Sequence, residues 1–272
     1  MEFDSLLQTQ ERITFTQLFN RTSLNYTGIK DWTLGLGYTF TKETGEGERQ
    51  LDRTNQDSLF TSFNESAIYS DIKFKGLKNT HLSISNRMTF HSVYTNAFTT
   101  SLQSKFDFTP KLSLRLGYSE GYRSPALKEL YLEFIDINHH ILGNPDLQPE
   151  RSKDIQGLVS YSPSKNWSLS MNAYYTSIKD QISLTEYETL KFTYSTIDQF
   201  SVYGFQPTIG VEFGAFKFNS SATLGYWSTE LDTTDVPSYG EVFDLNNTVQ
   251  YQIKPIGVKL LLNHRFLGAE PR

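Results

Sequence analysis

The chain has 272 residues, a formal net charge of -5, 38% hydrophobic and 14% aromatic residues, and no cysteine. The lack of cysteine excludes a disulfide scaffold and any zinc or thiol site built on cysteine. No basic run stands out, which argues against a nucleic-acid-binding protein. No stretch approaches the roughly 20 consecutive apolar residues that a membrane-spanning helix needs. Residues 1–15 lack the basic start, apolar core and cleavage site of a secretory signal.

Alternating apolar and polar residues predict a series of amphipathic β-strands. In residues 81–91, for example, Leu82, Ile84 and Met88 share one face, while Ser83 and Arg87 occupy the other. Side chains on a strand point to alternate faces, so each such segment has one apolar and one polar side. The same pattern recurs in residues 66–75, 101–108, 111–118, 166–175, 216–226 and 243–251.

The length and charge distribution of these segments favour a membrane barrel. They run about 9–13 residues, whereas strands in soluble proteins average roughly 5–6 and a tilted strand crosses a bilayer in about 9–11. Charges fall on the polar face: Asp71 and Lys73 alternate with Ile68 and Ile72. One Lys or Arg on the lipid face at mid-membrane would cost roughly 2–4 kcal/mol. A soluble β-sandwich or jelly roll also alternates and is the competing fold.

The connections between strands alternate between short turns and mostly longer loops. This is the pattern of outer-membrane barrels, with turns in the periplasm and loops outside. It predicts an all-β fold, an antiparallel transmembrane β-barrel wall of roughly 12 strands. The predicted turns are Gly28–Asp31, Leu77–Thr80, Thr109–Lys111, Ser162–Asn166, Gly214–Ala215 and Lys254–Gly257. The predicted loops are residues 42–63, 92–97, 119–152, 179–191 and 229–240.

The longest predicted loop, residues 119–152, differs in character from the rest of the chain. Ser124 followed by Pro125 resembles an N-cap and the first position of a helix, and residues 126–134 contain helix-forming side chains. Residues 144–146, Asn-Pro-Asp, predict a turn, because Asn and Asp side chains bond the local backbone and proline fixes its own φ. A short helix and a turn are therefore expected inside this external loop.

Two motifs in this loop resemble those of the TonB-dependent receptors. That family carries a Phe/Tyr-Arg-Ala-Pro box followed by an Asn-Pro-Asp/Asn-Leu-Lys-Pro-Glu box. The first corresponds to Tyr122, Arg123, Ser124 and Pro125. The second corresponds to Asn144, Pro145, Asp146, Leu147, Gln148, Pro149 and Glu150. The strand end at residues 174–182 also looks like the one that follows in this family, so the specific motifs cover about residues 120–182.

The resemblance implies a Gram-negative outer-membrane transporter with a 22-strand barrel, in contact with outer-membrane lipid and energised by the TonB complex through an N-terminal plug. No plug and no TonB box is visible in residues 1–272, and residues 266–272 lack a terminal aromatic strand signature. Residues 1–272 are therefore expected to form a partial barrel domain, about 12 of the 22 strands, without the plug. Such a piece would not transport by itself.

The resemblance also implies a scarce iron-containing ligand, most often a ferric siderophore, and no resident cofactor. Such ligands are usually bound by aromatic and Arg side chains of external loops, which makes Tyr122, Arg123 and Tyr131 candidates; loop packing is their structural interpretation. Haem is the alternative, because haem receptors of this family place a histidine between the two boxes, where His139 and His140 lie. Adjacent strand residues point opposite ways, so one of the two at most would bind iron.

Other functional classes stay open at this point. A small complete outer-membrane barrel enzyme would need Ser, His and an acid converging at one rim, and Ser201 and His264 are possible members by spacing. No Gly-x-Ser-x-Gly or His-Glu-x-x-His motif is present, so no enzyme signature supports that class. A passive porin is the third class.

Overall fold

The computed structural model describes residues 14–47, 59–135, 140–230 and 239–268. In these residues the chain forms fourteen strands, one short helix and one 3-10 turn. The strands are β1 (Thr14–Tyr26), β2 (Trp32–Gly47), β3 (Leu59–Leu77), β4 (Thr80–His91), β5 (Ala97–Thr109), β6 (Leu112–Arg123), β7 (Glu133–Ile135), β8 (His140–Leu142), β9 (Glu150–Ser164), β10 (Trp167–Glu188), β11 (Lys191–Phe213), β12 (Phe216–Glu230), β13 (Tyr239–Ile253) and β14 (Val258–Leu267). The helix α1 spans Leu127–Tyr131, and the 3-10 turn spans Lys254–Ile256.

The strands form one sheet in which sequence neighbours pair. Two of the fourteen strands, β7 and β8, lie off the main path, which leaves twelve in the order β1-β2-β3-β4-β5-β6-β9-β10-β11-β12-β13-β14. Neighbours along this path are antiparallel, as in the register Tyr175↔Ile155 between β10 and β9. The predicted antiparallel wall of about twelve strands is confirmed. The described part of the chain contains no helix that is long and apolar enough to cross a membrane.

Short turns close one end of the sheet where the sequence predicts them. Asp31 and Asn79 adopt left-handed backbone conformations in two of these turns, with φ of 66° and 58°. Gly214 and Gly257 do so in two others, with φ of 60° and 68°. The turn after β13 contains Pro255 within the 3-10 turn. These tight turns fix the strand registers, because each hairpin register follows from its turn.

The opposite end carries the longer connections, but one predicted loop is wrong. Residues 179–191 continue β10 and β11 as an extended hairpin that turns at residues 189–190. Leu190 has a φ of 63° in this turn. The predicted loops at 42–63 and 119–152 are also shorter than expected, because β2 and β3 run into the first and β6 and β9 into the second. Residues 48–58 and 231–238 lie outside the described residues.

The two faces of the wall differ as a bilayer requires. The outward face carries large exposed apolar side chains, such as Ile155 (54% exposed) and Met171 (51%). The inward face carries polar side chains, among them Asp154, whose carboxylate accepts the Thr176 hydroxyl at 2.7 Å. Outward aromatic residues mark two levels, with Trp167 near the turns and Tyr175 higher on the same strand. Eight residues separate them, roughly 26 Å along the strand. At a tilt of about 40° this is about 20 Å along the membrane normal, somewhat less than the apolar band of about 25 Å.

Candidate functional site

The segment between β6 and β9 packs its helix onto the inner side of the wall at the loop end. Leu127 and Leu130 of α1 are 2% and 1% exposed, and they cluster with Leu147 (1%) and with Phe63 of β3 (7%). Pro125 is also fully buried. Because burial of an apolar side chain stabilises by roughly 1.5–3 kcal/mol, this small core holds the two boxes against the barrel rim.

Arg123 joins the two boxes through charged hydrogen bonds. Its Nε and Nη2 donate to the two carboxylate oxygens of Glu150, both at 2.7 Å. Its Nη1 donates to the Glu129 carboxylate at 2.9 and 3.0 Å. The Glu150 carboxylate also accepts the backbone N–H of Ile182 at 2.7 Å. The end of β6, helix α1, the start of β9 and the upper part of β10 are therefore connected through one guanidinium.

The start of α1 differs from the sequence prediction. Ser124 is not the N-cap and Pro125 is not the first helical residue; the helix begins at Leu127, with Ala126 at the N-cap position. The Glu129 carboxylate accepts the Ala126 N–H at 2.8 Å, so the third helical residue does the capping that the sequence assigns to Ser124. The Ser124 hydroxyl instead donates to Glu65 at 3.3 Å.

The end of α1 is also earlier than predicted, and a small sheet replaces the rest of the helix. The helix stops at Tyr131, and residues 133–135 form β7, which pairs antiparallel with β8. Strand β8 pairs in parallel with the start of β11, with His140 opposite Lys191. Backbone pairing with β8, which itself pairs with β11, overrides the helical propensity of residues 133–134.

The second box forms the turn that the sequence predicts. The Asn144 side-chain oxygen accepts the Asp146 N–H at 3.0 Å, and its Nδ2 donates to the Tyr194 carbonyl oxygen at 2.9 Å. Gly143 lies directly against α1: an added Cβ would be 2.6 Å from the Leu130 carbonyl. Asn144 therefore fixes the turn to β11, and Gly143 permits the close approach of backbone to helix.

Beside this core, a cavity of about 350 Å³ opens on the inner side of the rim. Its walls come from the loop ends of β1 to β4 and from the end of β6 with the residues that follow it. Its lining is mostly polar, with aromatic rings from Phe63, His91 and Tyr122. The lining residues are Gln17, Thr41, Glu43, Phe63, Glu65, His91, Tyr122, Arg123, Ser124, Pro125 and Ala126.

Aromatic rings cluster at one wall of this cavity. Phe63 lies 5.6 Å from the His91 ring, 6.5 Å from Tyr94 and 6.3 Å from Tyr131, measured between ring centroids. His91 and Tyr94 are 4.9 Å apart. Burial, with Tyr131, Tyr122 and Glu129 nearby, raises the pKa of Tyr94 to about 12. The Tyr94 hydroxyl therefore keeps its proton to a more alkaline pH than an ordinary tyrosine.

The hydrogen bonds of His91 fix which of its nitrogens carries the proton. Its Nδ1 accepts the backbone N–H groups of Val93 and Tyr94 at 3.1 and 3.2 Å. A neutral imidazole has one donor and one acceptor nitrogen, so Nε2 carries the proton. In this arrangement His91 can donate a hydrogen bond to an oxygen-rich ligand but cannot coordinate a metal through Nε2.

Only some of the ligand residues predicted from the sequence lie at the cavity. Tyr122 and Arg123 line the cavity, and Tyr131 contacts its aromatic wall through Phe63. His140 lies in β8, and its Nε2 is buried without a hydrogen-bond partner among the described residues. His139 lies outside the described residues. Among the residues described, no group of three or more His, Asp or Glu side chains could hold a metal ion.

The enzyme alternative is not supported by the positions of its proposed members. Ser201 aligns with Ser228 of β12, while His264 aligns through Asn247 of β13 with Ser220 of β12. The eight residues between these two levels of β12 correspond to roughly 26 Å. A nucleophile and its base must lie within hydrogen-bond reach, so these residues form no catalytic pair.

The sequence did not predict a functional role for three residues of the rim: Phe63, His91 and Tyr94. Phe63 and Tyr94 fall in segments predicted as loops, and His91 ends a strand. The clustering of rings from β3, β4 and the 92–96 connection requires the strand register Glu65↔His91. One sequence feature could have indicated this cluster: both segments at the loop end contain aromatic residues, and the strands that carry them are neighbours in the sheet.

Two curated proteins are similar in sequence to parts of the chain. The "Iron-regulated outer membrane virulence protein" of Vibrio cholerae is 28% identical over 104 residues, 38% of this chain and 16% of that protein. The "Probable hemoglobin and hemoglobin-haptoglobin-binding protein 4" of Haemophilus influenzae is 28% identical over 142 residues, 50% of this chain and 14% of that protein. The chain thus matches less than a fifth of the length of either relative.

Solved structures share the fold over most of the chain. The siderophore receptor PirA from Pseudomonas aeruginosa has a TM-score of 0.74 at 16% identity, covering 96% of this chain and 49% of that one. The FrpB iron transporter from Neisseria meningitidis has a TM-score of 0.71 at 10% identity, covering 94% and 43%. These proteins are receptors and transporters rather than enzymes.

The sequence model of one family matches nearly the whole chain. Its description is "TonB dependent receptor-like, beta-barrel", and it matches residues 3–260. The single antiparallel wall, its apolar outward face and its alternating turns and loops agree with that match. This chain belongs to the TonB-dependent receptors and forms β-barrel wall in the outer membrane of a Gram-negative bacterium.

Proposed function

We propose that this chain contributes the ligand-binding rim of a receptor that binds a ferric siderophore outside the cell and imports it with energy from the TonB complex. The observation that carries the proposal is the rim cavity, which Phe63, His91 and Tyr122 line. Tyr94 and Tyr131 pack against Phe63 beside it. The similarity to the siderophore receptor PirA supports the same ligand class.

The chemistry of the cavity suits an iron chelate whose metal is already enclosed by its own ligands. Aromatic faces contact the organic shell of such a chelate through dispersion and stacking. The Nε2–H of His91 can donate to its peripheral oxygens. The protein need not supply a ligand to iron, in agreement with the proton on His91 Nε2.

The test is binding of defined iron complexes to the full-length protein in detergent. A ferric trihydroxamate, a ferric tricatecholate and haemin are titrated separately, and quenching of intrinsic fluorescence gives each Kd. Tyr122→Ala is expected to weaken the preferred ferric chelate by about tenfold, because it removes an aromatic ring from the cavity lining. Tyr187→Ala is the matched control, because Tyr187 is 46% exposed near the tip of β10 and away from the cavity. Equal affinity of Tyr122→Ala and wild type, or no binding of either chelate, would contradict the proposal.

Haem uptake is the second candidate, favoured by the similarity to the Haemophilus haemoglobin-binding protein and by the histidine pair. Because His140 Nε2 is buried, haem ligation by His140 would require the β7–β8 segment to move. The test adds haemin to wild type and to the His139→Ala/His140→Ala variant. A shifted Soret band in wild type that the variant loses would support haem. An unchanged Soret band and unchanged affinity in the variant would end this candidate.

A further inference from the structure

Two carboxylates face the rim cavity from neighbouring strands. Glu43 of β2 and Glu65 of β3 both line it. Glu43 lies directly opposite Phe63 in the β2–β3 register, and Glu65 is two residues from Phe63 on the same face of β3. Diagonal neighbours of this kind lie about 7 Å apart. The two negative charges therefore occupy one part of the cavity, which we call the acidic corner.

Neither carboxylate of the acidic corner has a cation at hydrogen-bond distance among the described residues. Glu43 accepts a hydrogen bond from Gln17 Nε2 at 3.0 Å. Glu65 accepts the Ser124 hydroxyl at 3.3 Å, and Arg87 Nη2 lies 3.6 Å from its Oε1. The Arg87 guanidinium donates instead to two threonine hydroxyls, at 3.0 and 3.2 Å. Both carboxylates therefore keep the capacity to accept a further donor.

The cations around the cavity are already engaged with other groups. Arg123 lines it, but its Nε, Nη1 and Nη2 donate to Glu129 and Glu150. The Arg151 guanidinium lies over the Tyr122 ring, 5.6 Å from its centroid, and does not line the cavity. Three guanidiniums and four carboxylates leave this part of the rim with a net charge of -1. They are Arg87, Arg123 and Arg151, and Glu43, Glu65, Glu129 and Glu150.

His91 adds no positive charge to the cavity near neutral pH. Burial lowers the pKa of His91, and this effect exceeds the opposite effect of Glu65 and Glu43. A neutral ring agrees with the hydrogen bonds of His91, in which Nδ1 accepts two backbone N–H groups. The acidic corner therefore has no compensating charge from histidine.

We propose that the acidic corner selects a ferric chelate with a positively charged amine, such as a linear ferric trihydroxamate that ends in an ammonium group. The inference rests on the proposed function, because it assigns the charge of the ligand for the same cavity. Glu43 and Glu65 accept the ammonium N–H groups, and hydrogen bonds between ionised partners are about twice as strong as neutral ones. The ring of Tyr122, in the same lining, contacts the organic shell of the chelate.

The same two charges disfavour an anionic chelate. A ferric tricatecholate is negatively charged, because its three doubly charged catecholates exceed the charge of Fe³⁺, whereas the iron centre of a trihydroxamate is neutral. Like charges repel more strongly in a partly desolvated site than in water. Arg123 does not offset this repulsion while it binds Glu129 and Glu150. The charge of the chelate therefore decides which one the cavity prefers.

The experiment compares three ferric chelates on the full-length protein in detergent, with each Kd from fluorescence quenching. The first is a linear ferric trihydroxamate with a terminal ammonium, the second is the same chelate with that amine acetylated, and the third is a ferric tricatecholate. The test variant, Glu43→Gln/Glu65→Gln, removes both charges and keeps the side-chain size. The control, Glu186→Gln/Glu188→Gln, removes the same charge from exposed positions near the tip of β10.

Wild type and control are expected to bind the ammonium chelate about tenfold more tightly than the acetylated one, and the test variant is expected to lose this preference. Equal binding of the two trihydroxamates by wild type, tighter binding of the tricatecholate, or an unchanged preference in the test variant would overturn the inference alone. Binding of none of the three chelates by wild type would overturn the proposed function as well. Heat-modified gel mobility checks folding; if the double variant misfolds, Glu43→Gln replaces it, with an expected loss of preference of several-fold.

Discussion

Removal of the Arg123 guanidinium tests how the external segment is held. Arg123→Ala leaves Glu129 and Glu150, whose side chains are 17% and 16% exposed, without their shared cation. Each carboxylate keeps one backbone hydrogen bond, from Ala126 and Ile182 respectively. Loss of one partner from a fully buried pair costs about 3–5 kcal/mol, but Arg123 itself is 44% exposed. Solvent screening reduces the expected cost to about 2 kcal/mol.

This loss of free energy favours local opening of residues 124–149. It does not lower the free energy of unfolding of the barrel. At 1.36 kcal/mol per factor of ten, 2 kcal/mol raises the opened population about 30-fold. Cleavage of a transiently open segment follows that population when reclosing is fast. Limited proteolysis of the full-length protein is therefore expected to cut this segment about 30-fold faster in Arg123→Ala than in wild type.

Two further variants separate the charge effect from loss of packing. Arg123→Ala/Glu129→Gln/Glu150→Gln removes the unpaired charges as well, and we expect it to be cleaved more slowly than Arg123→Ala alone. Arg265→Ala is the control, because it breaks an ion pair with Asp244 between β13 and β14, with Nη2 and Oδ2 2.7 Å apart, away from the segment. A triple variant cleaved as fast as Arg123→Ala, or a control that also accelerates cleavage, would refute the reasoning.

Three smaller predictions concern backbone geometry at the same end of the barrel. Gly143→Ala would place a Cβ 2.6 Å from the Leu130 carbonyl, and we expect about 1–3 kcal/mol of local destabilisation, measured as faster proteolysis of residues 124–149; an unchanged rate would contradict the overlap. Asn144→Ala loses the 2.9 Å bond to the Tyr194 carbonyl, and amide exchange in residues 140–150 should rise about fivefold or more, whereas no rise would deny Asn144 this role. Leu190→Gly relieves a left-handed residue with a φ of 63°, so exchange at the β10–β11 tip should slow by up to about fivefold; faster exchange would show that Leu190 contributes more by contact than it costs in strain.

The wall was predictable because lipid imposes a rule on every strand that crosses it. Where β10 crosses the membrane, Met171 and Tyr175 face outward and Asn172 faces inward, so the alternation is visible in sequence. Beyond the membrane the rule no longer applies, and residues 179–191 carry polar side chains on both faces. Their strand structure comes from pairing with β11, a non-local interaction without a sequence period, and this explains why a loop was predicted there.

The external loop that carries the two boxes was predictable from the sequence, but its contacts were not. The Asn144 turn follows from local side-chain chemistry and was predicted. The helix start was wrong because the Ser124 hydroxyl bonds Glu65, which is 59 residues earlier in the sequence. The ring cluster of Phe63, His91 and Tyr94 depends on the register of β3 with β4 in the same way. Both features depend on contacts between segments that are distant in the sequence. Local sequence patterns therefore could not predict them.

The hydrogen bonds of the rim distinguish residues that hold the structure from residues that can select a ligand. Nε, Nη1 and Nη2 of Arg123 all donate to Glu129 or Glu150, so a ligand could bind this guanidinium only by competing with two carboxylates. His91 differs, because its backbone contacts use Nδ1 and leave the Nε2 proton for an acceptor in the cavity. Motif residues such as Arg123 therefore keep the rim in shape, and we infer that selectivity depends on His91. Phe63 beside it also belongs to the buried core that holds the two boxes, so it is less free to vary.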